Sequence, residues 1–501
     1  MRRIVPFPVA VLLVATLAGT ALAGTYVTTG LVATSGASPF AGCTADDLLA
    51  QEEFDDNFAN SEVEPWIDVN PTNPDNIVGG YQQDRWSGGG SRGLVASVTM
   101  DGGTTWQQVA IPGTSKCAGG EFDRATDPWL SFGPDGTLWF VSQTFDVFDS
   151  RTGMLVSRSD DGGLTWGDPV DVSPVLSNPP RFPFDDKVAI TADPTDADNV
   201  YVVWDRGLIP FSWARPHNAN FKFWGSSQPT LFTRTTDGGQ TWAKPRALYN
   251  PGANNFSIFN QIVVLPDGTL VDQMFEFLAR KNNDGGGKFT GRVTVLRSTD
   301  KGVHWGQPIR VGETVPAFLL DTDLPQRVGG QAIVADLHPA SPGYGNLYSV
   351  WTDGRFSDPP LQFGDIALSM STDGGRTWSE PSKANLTPAG HSAFTPAVAV
   401  AEDGTIGVSY YDERNYDGGP ALTTDVWLSH CHPTTDCTNN ANWSESHVAG
   451  PFDQTQAPFA RGLFLGDYAG LAASGQTFYP YYAIAGNSAD PSDIYFAKVG
   501  P

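Results

Sequence analysis

The chain has 501 residues, of which 12% are aromatic and only 17% charged, with 55 Gly, 38 Pro and 15 Trp; this turn-rich, aromatic-rich composition excludes a disordered chain or a coiled coil. A formal charge of −25 argues against a nucleic-acid partner, because so acidic a surface repels a phosphate backbone, yet a small anion held by a local Arg cluster stays possible. The length would ordinarily mean about three domains, but a repeat architecture absorbs it in one closed body.

The N-terminus reads as an export signal: Arg2 and Arg3, an apolar run over residues 9–22, and the small-x-small string Ala21-Leu22-Ala23. The alternative, an uncleaved anchor, needs about 20 apolar residues, and the run is shorter. No later segment is long and apolar enough to span. The mature chain is therefore expected to begin near Gly24, secreted and without stable membrane insertion. Residues 24–60 are poorly patterned and are taken as a linker with a ring-closing strand; residues 61–501 carry the repeats. Four cysteines in an exported chain favour disulfides. Cys431 and Cys437 lie close in a turn-rich stretch and pair, which leaves Cys43 with Cys117. Their spacing matches no common zinc pattern, and no metal or cofactor is expected.

Further along, an eight-residue string recurs five times: TMDGGTTW (99–106), SDDGGLTW (159–166), TTDGGQTW (235–242), STDKGVHW (298–305) and STDGGRTW (371–378). It has the chemistry of a tight turn between strands. The Asp side chain accepts from backbone N–H groups just ahead of it, the Gly positions permit φ > 0, and the Trp offers an apolar face to a neighbouring sheet. A second repeat interleaves with it: an apolar strand, a turn rich in Pro, Asp and Gly, then another apolar strand. Copies lie at residues 65–81, 128–143, 187–204, 261–275, 331–351 and 396–411, with a looser one at 468–483. These are antiparallel hairpin signals. Hairpin plus box makes a four-stranded blade, so the expected fold is an all-β propeller. The sixth hairpin is followed by a degenerate box, TNNANWSE (438–445), which keeps Trp443. The seventh has one further strand near residues 494–499, and its fourth would come from the N-terminus. The count is seven blades; six is the alternative if the last hairpin and the N-terminal strand are shared differently.

The face away from the boxes receives the starts of first strands and the ends of second strands. Four second-strand ends carry an aromatic, an Asp and an Arg: Tyr81 with Asp84 and Arg85, Trp204 with Asp205 and Arg206, Trp351 with Asp353 and Arg355, and Tyr411 with Asp412 and Arg414. First-strand starts add Asp127, Asp186, Lys187, Gln261, Gln331, Asp467 and Tyr468. Either each Asp–Arg pair is a local salt bridge repeated with the blades, or the arginines converge on an anion, which Arg binds with a bidentate fork.

The Asp boxes, the exported context and the second-strand arginines resemble the sialidase (neuraminidase) superfamily. The box resemblance spans residues 99–378, and the hairpins extend it to almost the whole mature chain. It implies an Arg triad on a substrate carboxylate, a Tyr nucleophile activated by a Glu, and an Asp acid/base. Gln261, beside Asn260, stands where the family's Glu is expected, and Phe394-Thr395 stand where its Tyr is expected; no FRIP motif is present. Tyr468, Glu413 and Asp127 are the residues expected to fill the catalytic roles, with Glu276 a further carboxylate. Arg85, Arg206, Arg355, Arg414, Asp84, Asp205, Asp353, Asp412 and Gln261 are expected to bind substrate. The implied activity is that of a monomeric exo-glycosidase removing terminal acidic sugars of the sialic acid type from glycans. The alternative is a non-catalytic propeller that binds glycan or protein on the same face. A carboxylate pair about 5 Å apart, or a Tyr–Glu pair, would distinguish the enzyme.

Overall fold

The computed structural model describes residues 26–46, 55–147, 151–173, 182–209, 227–281, 287–316, 326–327, 329–357 and 363–501. The expected leader, residues 1–23, lies outside them. Among the described residues the protein is all-β: strands joined by turns and three short 3-10 turns, without an α-helix. No helix there is long and apolar enough to cross a membrane.

The sequence repeats become antiparallel runs of strands. In the third, Phe182–Ala192, Val200–Ile209, Thr230–Thr235 and Arg246–Tyr249 pair in that order. Three more four-stranded sheets follow the same chain order, opening on Phe256–Val264, Gln331–Ala335 and Ala393–Val400. The repeats opening on Asn57–Val69, Arg124–Phe132 and Gly470–Ser474 are joined by the single bridges Ser61–Ser492 and Ser91–Ala125 into one twelve-stranded sheet. In the last repeat the third strand, Asp490–Gly500, pairs antiparallel with the N-terminal strand Val27–Ala33. Each repeat's first strand lies against the first strand of the next, and Gly470–Ser474 lies against Asn57–Val69.

The apolar cores sit between neighbouring sheets. One joins Val78, Leu94 and Val98 of the first repeat to Leu130, Leu138 and Phe140 of the second, and another joins Tyr411 and Leu428 of the sixth to Phe478 and Tyr481 of the last and to Ile77 and Tyr81 of the first. The Asp boxes close the third-to-fourth-strand turns and staple these interfaces. Asp161 Oδ1 accepts from Thr165 N at 2.9 Å, and its Oδ2 accepts from the Thr165 hydroxyl at 2.6 Å; Asp101, Asp237 and Asp373 repeat the pattern. In the fourth box His304 takes the threonine's place, its N donating to Asp300 Oδ1 at 2.8 Å. There Lys301 adopts the positive φ (54°) that glycine holds elsewhere, and its ammonium reaches Asp196 at 2.8 Å. The second Gly of the first and third boxes lies under Phe496 and Trp139 of the preceding sheets, where a Cβ would collide with the ring. The degenerate sixth box keeps its Trp inside: Trp443 is buried and donates to Cys437 O at 2.9 Å. Both expected disulfides, Cys43–Cys117 and Cys431–Cys437, are formed.

Two expectations follow. Trp166 is half-buried against the core between the first two sheets, so Trp166→Ala should cost about 2–3 kcal/mol, less than the 3–5 of full burial. Asp161→Ala should cost about 1 kcal/mol through its lost hydrogen bonds. Urea unfolding checks both; loss of ligand binding on Asp161→Ala with unchanged stability would assign the box a binding role instead. The box carboxyls also titrate low: hydrogen bonds from Thr105 and Thr241 hold Asp101 and Asp237 down at about 2. A depressed acid contributes its stability above the ordinary value of 3.8 and loses it as pH falls through the folded value. Unfolding on acidification should therefore steepen between about pH 4 and 2.

Candidate active site

Five first strands carry the same irregularity. Between Val63 and Trp66, Thr126 and Trp129, Asp186 and Ala189, Ile258 and Gln261, and Phe394 and Ala397, one extra residue opposes the partner strand. Each bulge holds a non-glycine residue at positive φ: Glu64 (54°), Asp127 (51°), Lys187 (52°), Phe259 (60°) and Thr395 (51°). Such backbone costs about 1–2 kcal/mol per residue, and a bulge re-aims the side chain it carries. Here three successive repeats aim Glu64, Asp127 and Lys187 at one point.

That point is the Lys187 ammonium. It lies 2.8 Å from Glu64, 2.9 Å from Asp127 and 2.7 Å from Asp467, all four side chains being at most 7% exposed. Asp467 follows Gly466 just before the last repeat's first strand, and Gly466 packs so closely on the Glu64 backbone that a Cβ would meet it at 2.9 Å. A two-stranded parallel pair, Gln326–Arg327 with Leu463–Phe464, delivers the next groups. Arg327 forks onto both oxygens of Asp467; the guanidiniums of Arg327 and Arg85 lie 4.4 and 4.8 Å from the Phe464 ring centre. Arg85 donates to Gln82 Oε1 at 2.6 Å, and Gln82 in turn donates to Glu64. Exposed Arg461 sits next to this cluster, electrostatically coupled to Arg327, Asp186, Asp467 and Glu64, and pairs with no carboxylate among the described residues. Beneath lie three rings: Trp66 and Trp129 stack at 3.4 Å, and Tyr468 meets Trp129 edge-on at 5.3 Å. Beside Lys187, Trp129, Phe259, Asn260 and Tyr468 line a cavity of about 20 Å³, room for roughly one water.

Burial raises the Glu64 carboxyl to about 7 even against the pull of Lys187. Asp467, equally buried, is held far below the ordinary range because Arg327 and Lys187 together outweigh its desolvation. On one shared ammonium, burial therefore opposes ionisation of Glu64, while Arg327 and Lys187 favour it for Asp467. The Tyr468 phenol is raised well above its ordinary value by burial and by the surrounding carboxylates, and donates to Pro128 O at 3.0 Å.

The residues expected from the sequence divide in two. Asp127, Arg85 and Tyr468 belong to the cluster. Arg206 forks onto Asp185 at 2.5 and 2.6 Å, Arg355 onto Asp353 at 2.9 Å, and Arg414 onto Asp412 at 2.8 Å with Glu445 added at 2.9 Å. These three are local forks, none onto a carboxylate of the Lys187 cluster. Asp84 accepts from Asn60 N and the Ser38 hydroxyl, and Asp205 from Phe259 N and the Asn260 amide. Gln261 spends its amide on the backbone of Ile333 in the neighbouring first strand. Glu413 accepts from Gln326 at 2.6 Å. A Tyr–Glu pair does exist, Tyr249 with Glu276 at 2.6 Å, joining the fourth strand of one sheet to the second strand of the next, but Arg292 also holds that carboxylate, and burial with the adjacent carboxylate pushes the phenol up to about 12. Glu64, Arg327 and Arg461 were not among the expected site residues. Glu64 had a signal: Glu64-Pro65-Trp66 repeats Asp127-Pro128-Trp129 at the same place in the hairpin.

No protein-family model and no curated protein matches the sequence. Solved structures that it resembles include a protein of unknown function from Dyadobacter fermentans (14% identity over 90% of this chain and 98% of that one, TM-score 0.44). An alpha-L-arabinanase of Penicillium chrysogenum, solved with arabinobiose, matches at 14% identity over 77% of this chain and 94% of that one, with a TM-score of 0.47. A Hadza microbial sialidase matches at 15% identity over 85% and 73%, with a TM-score of 0.44. With these scores below 0.5, a functional reading of this chain rests on its own site.

Proposed function

We propose that this chain is an exported, seven-bladed β-propeller glycoside hydrolase that removes terminal acidic sugars from glycans. The ring is supported by the cyclic order of first-strand contacts and by the N-terminal strand completing the last sheet. The chemistry is supported above all by one observation: Glu64 and Asp467 share Lys187 while their protonation is driven apart. Environments that separate two carboxyls in this way define an acid and its ionised partner. Glu64, carrying a proton near neutral pH, protonates the leaving-group oxygen; Asp467, always ionised, faces the positive charge that develops on the sugar. Oxygens bonded to one ammonium are at most about 6 Å apart, near the spacing of retaining glycosidases. Tyr468, with its hydroxyl committed to Pro128, is a wall of the site in this reading. Arg461 supplies the unspent guanidinium for a sugar carboxylate, a role for which Arg206, Arg355 and Arg414 are already engaged.

The test is hydrolysis of aryl glycosides of sialic acid and of uronic acids, with neutral glycosides as controls. Turnover of an acidic substrate, weakened ten- to hundredfold in KM by Arg461→Ala, is expected from a charged hydrogen bond of about 1.5–3 kcal/mol; stability should not change. Exclusive turnover of neutral glycosides would refute the acidic-sugar assignment. The second reading, a non-catalytic glycan-binding propeller, draws on the saturation of the cluster by its own ion pairs; acidic-sugar binding without turnover would favour it.

A further inference from the structure

Glu62 lies two residues before the Glu64 bulge, fully buried, beside the Ser61–Ser492 bridge that joins the last sheet to the first. Its carboxylate faces half-buried Asp490 and Asp493, and one oxygen from each of the three lies within 4.8 Å of the others. The charges that reach Glu62 are like charges, from Asp493, Asp490 and Asp84, and no Lys or Arg of the described residues pairs with the trio. The side chain bonded to Glu62 is itself short of a partner. Gln83, fully buried, donates its amide to Glu62 Oε1 and to Asp84, and its own carbonyl oxygen has no partner; neither has Glu62 Oε2. Buried oxygens left without a donor are costly, and like carboxylates at this range repel. One hard cation removes both costs.

We propose that this seam is a calcium site, with Glu62, Asp490 and Asp493 as carboxylate ligands and the Gln83 amide oxygen as a fourth. All the donors are oxygens, which calcium takes in sets of six to eight with tolerant geometry, whereas magnesium demands a near-ideal octahedron. The two half-exposed aspartates leave the outer side to water. The site would also hold a third segment, because Ser35, just after the N-terminal strand, donates to Asp493 at 2.9 Å and accepts from Ile494 N at 2.8 Å. Calcium thereby clasps the N-terminal segment, the first sheet and the last sheet together. This inference is independent of the glycosidase reading.

The test uses the mature protein, dialysed against EDTA and then titrated with CaCl₂ or MgCl₂. Equilibrium dialysis should find one calcium per chain that Asp490→Asn/Asp493→Asn does not bind. Saturating calcium should raise the wild-type Tm by about 3–6 °C and that of the double variant by less than about 1 °C, with magnesium weaker. Asp490→Asn alone should retain the fold and show a calcium affinity lowered at least tenfold. No bound calcium, or an equal thermal shift in wild type and both variants, would overturn the proposal: the first would mean a shared proton on Glu62, the second general screening of the acidic surface.

Discussion

Lys187→Met is expected to destabilise the protein by about 3–5 kcal/mol near pH 8, the usual consequence of removing one partner from a buried ion network. Glu64, Asp127 and Asp467 all lose the ammonium at 2.7–2.9 Å; among the described residues only Asp467 keeps another ion-paired cation, Arg327. The loss has a pH signature. Glu64 already titrates at about 7 in the folded chain, above its ordinary 4.5. A raised acid is destabilising where it must ionise, and the burden disappears as pH falls through the folded pKa and then through the unfolded one. Without Lys187 the Glu64 value moves higher still, so the variant should regain part of its stability at pH 5.5. Glu64→Gln in the Lys187→Met background should restore stability at pH 8 for the same reason. Urea unfolding at the two pH values measures both effects. A loss below about 1 kcal/mol, or one equal at pH 8 and pH 5.5, would mean that the carboxylates find water and that Lys187 does not hold a buried ion network together.

The boxes and hairpins were legible because their information is local. A turn that needs an Asp acceptor, positive φ and a Trp writes those residues down in order, five times. The centre was only half legible. Second-strand ends advertised Asp and Arg together, but side chains two residues apart on one loop reach each other first, so Arg355 and Arg414 close local forks with Asp353 and Asp412. Asp127 and Lys187 stand out at first-strand starts, whereas Glu64 does not: one inserted residue turns a strand's side chains to the other face, and the matching bulges at Glu64, Asp127 and Lys187 bring all three to one point. Arg327 and Arg461 lie in connections outside the hairpin repeats. Nothing in their neighbours marks them, and only the chain's return across the centre, through the pair Gln326–Arg327 with Leu463–Phe464, gives them a role. The seam at Glu62 is of the same kind, since its aspartates lie more than 400 residues further along the chain.

The largest kinetic effect is expected at Glu64. If its carboxyl is the general acid, Glu64→Gln should lower kcat/KM by roughly 10²–10⁴-fold on substrates with poor leaving groups. The loss should nearly vanish on a dinitrophenyl glycoside, whose departing phenolate needs no proton. In the wild type, kcat/KM should fall as pH rises through about 7, where Glu64 gives up its proton, and in Glu64→Gln that limb should be absent. Asp467→Asn should behave differently: it removes the ionised carboxylate facing the developing positive charge, so both kinds of substrate should suffer, and the wild-type alkaline limb should shift, because Lys187 then attends one carboxylate fewer. Circular dichroism and Tm at pH 6 separate these outcomes from misfolding. A Glu64→Gln enzyme that keeps the alkaline limb, or that loses the activated substrate as fully as the poor one, would place the acid on another residue, with Asp127, on the same ammonium and carried by the matching bulge, next in line.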